Sequence, residues 1–78
     1  MFGFRRKKAM KDFYENHKAF LNWYLEKQCD VSERLYHLVI GHLVECLDWN
    51  LEKVKHLNDF EQKKWIMIQI NRFLEDEK

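Results

Sequence analysis

The chain has 78 residues, 46% apolar and 35% charged, with two glycines and no proline; this is room for one core burying about 60% of the unfolded surface, and it excludes a second domain or a disordered chain. The net charge of +1 divides unevenly, with +5 on residues 1–11 and −4 on residues 12–78, so a basic end is set against an acidic remainder. Two cysteines without regular spacing make no disulfide framework, and no apolar run approaches a membrane span or a signal-peptide core, so the expected location is cytoplasmic with reduced thiols.

Residues 1–8, MFGFRRKK, read as a basic N-terminal arm. Two phenylalanines flank a glycine, and Arg5, Arg6, Lys7 and Lys8 follow as a run of cations suited to an anionic lipid or nucleic acid. The plainer reading is a solvated start to the first helix, since blocks of like charge at termini are commonly just exposed.

Residues 9–78 read as a single helical domain. The spacing predicts helix 1 over Ala9 to Gln28, with Met10, Phe13, Tyr14, His17, Phe20, Leu21, Tyr24 and Leu25 on one largely aromatic face. His17 sits in the middle of that face and is expected as a core histidine hydrogen-bonded to a tyrosine or a carbonyl. The link Cys29 to Ser32 carries a start signal, either Ser32 as N-cap with Val31 stapled onto Tyr36, or Asp30 capping with Glu33 as its partner.

The central helix is predicted over Ser32 to Leu57. Leu35, Tyr36, Val39, Ile40, Leu43, Val44, Cys46, Leu47, Leu51 and Val54 fill about half of a helical wheel, an arc wide enough to pack two neighbours at once. A second link offers Asn58 with Glu61, or Asp59 with Gln62, as capping pairs. Helix 3 is predicted over Phe60 to Glu75, with Phe60, Ile66, Met67, Ile70, Phe73 and Leu74 on its main face. Both links are short, so consecutive helices should be antiparallel neighbours. The expected fold is all-α: a small antiparallel three-helix domain with a central helix, self-associating because so small a core gains stability from association.

Chemistry finds little support in the pattern. His42, Glu45 and Cys46 lie within one turn of the central helix, but a structural zinc site wants four ligands in paired short spacings, and Cys29, His17 and His56 would have to arrive from separate places. Cys46 falls inside the apolar arc, where it reads as a small core residue. A nucleophile there would lack oxyanion donors, and no glycine-rich phosphate loop is present. No catalytic residue, metal or cofactor is expected. The exposed stripe of the central helix, His37, Glu45, Asp48 and Glu52, would repel phosphate, so any nucleic-acid contact falls to the arm.

The residues left over are apolar ones off the main stripes. Leu38 and Trp49 lie away from the central arc, Trp23 falls at the edge of helix 1, and Trp65, Ile68 and Arg72 fall opposite the main face of helix 3. Gly41 sits mid-helix, where glycine costs about 1 kcal/mol relative to alanine, which suggests either relaxed selection or, the reading preferred, a close backbone approach. Large side chains displaced in this way either fold over the rims of the core where helix ends splay or point to a protein interface. The function expected from sequence is therefore a non-enzymatic regulator, inhibitor or adaptor that binds another protein or a second copy of itself through Leu38, Gly41, Trp49, Trp65, Ile68 and Arg72. The alternative is a peripheral binder of anionic membrane or nucleic acid acting through the arm.

Overall fold

Helix-forming residues dominate the chain, and no proline interrupts them. The computed structural model describes residues 2–76, with side chains from Arg6 onward, and its elements are α1 (Phe2–Trp23), a π-helical turn (Tyr24–Gln28), α2 (Glu33–Val54) and α3 (Asp59–Asp76). Met1 and the side chains of residues 2–5, including the Arg5 expected to contact anions, lie outside the described part. No strand occurs among the described residues. The fold is an all-α three-helix domain.

The basic segment corrects one boundary. Residues 2–8 form the first turns of α1, in line with the plainer reading of that segment, and the helix begins seven residues before the predicted Ala9. Arginine and lysine are good helix formers, and an Arg6–Asp48 ion pair ties this end of α1 to α2. At the other end the helix widens. Cys29 N–H donates to Tyr24 C=O at 2.9 Å and Val31 N–H to Leu25 C=O at 3.1 Å, and Asp30 takes the left-handed conformation with φ 51°. Aspartate tolerates that region better than most residues, so the chain turns here without a glycine.

Of the two caps considered for α2, the structure uses Ser32: its Oγ accepts from Leu35 N–H at 3.2 Å, whereas Asp30 is occupied by the turn. The start of α3 is a reciprocal capping box. Asn58 Oδ1 accepts from Glu61 N–H at 2.8 Å, and Glu61 Oε1 accepts from Asn58 N–H at 3.4 Å, so two amides at the start of the helix are satisfied by two side chains.

α2 is central, as its wide arc requires. Val39, Leu43, Leu47, Leu51 and Val54 form its buried stripe, meeting Phe13, Leu21 and Leu25 from α1 and the π turn, and Ile66 and Ile70 from α3. Contacts run in opposite order along α1 and α2, with Arg6 at Asp48 and Asn22 at Tyr36. α1 reaches α3 through polar contacts as well. Tyr24 Oη donates to Asn71 Oδ1 at 2.9 Å, and His17 Nε2 donates to Gln62 Oε1 at 2.8 Å.

His17 is therefore a core histidine, bonded to a side-chain carbonyl. Gln62 Nε2 donates in turn to Val54 C=O at 3.1 Å, which fixes the amide orientation and with it the histidine tautomer. The Nδ1 atom is left buried without a partner.

Three side chains depart from their wheel positions. Trp65 is half-buried and packed against the core, edge-on to Phe13 with ring centroids 6.3 Å apart, because α1 passes over the side of α3 taken as its outer face. Phe60 is 73% exposed, since it sits at the start of α3, before the first buried residue Ile66. Val44, at the edge of the α2 arc, is also exposed.

Candidate functional site

Leu38 and Trp49 are eleven residues apart on α2, and eleven residues return to within about 20° of the same direction. They therefore share one outward stripe. Trp49 is 86% exposed and Leu38 is 49% exposed. Neither is needed to close the core, which the opposite side of α2 supplies.

Gly41 belongs to the same side. A Cβ placed there meets nothing within 4 Å, so no neighbour within the chain requires the glycine. The close backbone approach expected from sequence does not occur within the folded chain. Two of the flanking acids are already engaged: Asp48 pairs with Arg6, and Glu52 pairs with Lys55 at 3.0 Å. The Lys55 hydrogen bond and charge hold the Glu52 carboxyl below the ordinary carboxylate range.

The other expected residues lie on α3. Ile68 and Arg72 are exposed and point away from buried Ile66 and Ile70, while the α2 stripe flanks His42, whose ring stacks on Phe73 at 4.7 Å. The six expected interface residues thus divide into an α2 group of Leu38, Gly41 and Trp49, an α3 pair of Ile68 and Arg72, and Trp65, which the core takes up.

Trp23 lies over its neighbours on the first helix, 6.0 Å from the Phe20 ring and 6.4 Å from Tyr24. Lys63 stands 5.9 Å above the Phe20 ring, closing this cluster from α3. Sequence reading missed the link, because a cation over an aromatic face on another helix leaves no periodic trace.

His42 and Cys46 do touch, with Nε2 and Sγ 3.3 Å apart. Burial, reinforced by the Glu45 charge, pushes the Cys46 thiol up, which keeps it protonated and a poor nucleophile at neutral pH. Burial likewise raises Cys29, against a hydrogen bond with Tyr24. Both cysteines are free, and no group of three or more His, Cys, Asp or Glu side chains is arranged to hold a metal among the described residues. No helix among them is long and apolar enough to cross a membrane.

Of the expected anion contacts, Arg6 is engaged by Asp48, and Lys8 pairs with Asp12 at 3.2 Å. Lys7 is exposed and has no acid partner among the described residues. Comparison with known proteins finds no matching family model, curated protein or solved structure.

Proposed function

We propose that this protein is a non-enzymatic binding module that engages another protein through the Leu38–Gly41–Trp49 face of α2, acting as a regulator, inhibitor or adaptor. The observation that carries the reading is Trp49, the most exposed of the three tryptophans, placed on a helix whose opposite side already completes the core. A rigid indole buries much area at little entropic cost, which is why tryptophan dominates many interfaces. Leu38 extends the apolar stripe and Gly41 leaves a flat place between them, so a partner helix laid across this face meets the α2 backbone closely. The mechanism is steric: the helical face covers or bridges a site on the partner, with no chemistry of its own.

The occupant is a different protein or a second copy of this one. Light scattering gives the mass in solution, and affinity capture from the native cell with wild-type and Trp49→Ala baits tests a heterologous partner. The reading expects either a dimer that Trp49→Ala dissociates or a captured protein whose recovery Trp49→Ala abolishes. A monomer whose captured proteins are identical for both baits overturns it. The second reading, an anionic partner held by the N-terminal turns of α1, is favoured by unpaired Lys7 and tested by the salt dependence of binding to anionic vesicles or nucleic acid.

A further inference from the structure

On the α1–α2 seam the two helices leave a groove of about 300 Å³. Met10 and Tyr14 from α1 and Ile40 and Val44 from α2 line it, and Leu43 and Leu47, both nearly fully buried, close its floor. Its volume is at the small end of the range for small-molecule sites, and its lining is apolar almost throughout, the lysines at one end contributing chiefly their methylene stems. There Lys7 and Lys11 stand one helical turn apart, and neither has an acid partner among the described residues. The Arg6–Asp48 pair ties this end of α1 to α2, and both exposed lysine side chains can bring their ammonium groups to the rim.

We propose that this groove binds a single-chain anionic amphiphile, a free fatty acid of medium chain length. Its carboxylate sits between Lys7 and Lys11, and its hydrocarbon runs inward over Leu43 and Leu47 toward Tyr14 and Ile40. Placing cations at one end of an otherwise apolar slot matches a molecule with one charged end. A partner helix would instead need an extended surface with complementary acids along its length, and a membrane would need the cations spread over a flat face. Burial of the chain supplies affinity, and the paired ammonium groups supply orientation and select an acid over its neutral analogue.

The test is titration of the full-length, isotopically labelled protein with dodecanoate below its micelle-forming concentration, read by amide chemical shifts. The proposal expects saturable one-to-one binding with shifts centred on Lys7 to Leu21 and Ile40 to Leu47. Dodecanol should bind at least ten-fold more weakly. Val44→Trp, at a position already 43% exposed, should fill the groove and abolish binding. The double variant Lys7→Gln with Lys11→Gln, which changes two exposed side chains and cannot harm the core, should weaken dodecanoate at least ten-fold and leave dodecanol unchanged. Absence of saturable shifts overturns the proposal. So does equal affinity for acid and alcohol, undiminished binding by folded Val44→Trp or by the double variant, or binding to phosphatidylglycerol vesicles without binding to the monomeric acid.

Discussion

The His17–Gln62–Val54 chain shows how a polar group is kept inside so small a core. His17 is almost fully buried, and it donates its one hydrogen bond to the Gln62 side-chain carbonyl, whose amide is itself tied to the α2 backbone. Replacing Gln62 with leucine strands the buried His17 ring, while the Val54 carbonyl keeps the Leu57 N–H as a donor at 3.0 Å, at a cost of about 1–3 kcal/mol in urea unfolding. An unchanged midpoint would show that water satisfies the His17 ring. Gly41 makes the opposite forecast: with open space where a Cβ would stand, Gly41→Ala should raise stability by about 1 kcal/mol through helix propensity alone. A stability loss would mean that something not visible in the folded chain presses on that position. The aromatic face of helix 1 and the buried place of His17 were legible in the sequence, because helical periodicity alone determines them. Trp65 was not, since a wheel drawn for one helix cannot know that α1 crosses its outer side.

At the scale of elements, local capping chemistry was readable and end effects were less so. The sequence offered two capping pairs for α3, and the structure realises Asn58 with Glu61. Asn58→Ala should therefore destabilise the protein by about 1 kcal/mol, measured by thermal or urea unfolding, with Asp59→Ala costing less because its exposed side chain makes only a surface ion pair with Lys63. Equal losses at the two sites would contradict the assignment. The early start of α1 was hidden because a run of five cations in eleven residues resembles a solvated tail, and the Asp48 that engages Arg6 lies 42 residues away. The π turn had no signature in residue type. It arises where Cys29 and Val31 bond back to Tyr24 and Leu25 around the left-handed Asp30.

For the whole molecule, the wide arc of α2 already implied two neighbours, and that inference supplied the three-helix architecture. The groove between α1 and α2 escaped the sequence because each helix contributes only half of its lining. Lys55 bonded to Glu52 and Lys63 bonded to Asp59 hold those carboxyls below their ordinary values. Because the folded-state values are lowered, the stabilisation they provide is fully present above the ordinary carboxylate range and is lost as pH falls through the folded-state values. Both acids are fully exposed to solvent, so the effect is small and salt should weaken it. An acid titration of the unfolding midpoint at low and high salt should show a shallow loss confined to acidic pH; a midpoint that rises on acidification would reverse the sign.

The core is complete without Trp49, and its exposed face is proposed to serve binding. Trp49→Ala tests it most directly when unfolding free energy and association are measured on the same protein. An 86% exposed ring contributes little to folding, so stability should stay within about 0.5 kcal/mol of wild type, while association with the captured partner or second copy weakens by about 2 kcal/mol. A loss of several kcal/mol in folding with unchanged association would place Trp49 in the core and contradict the account.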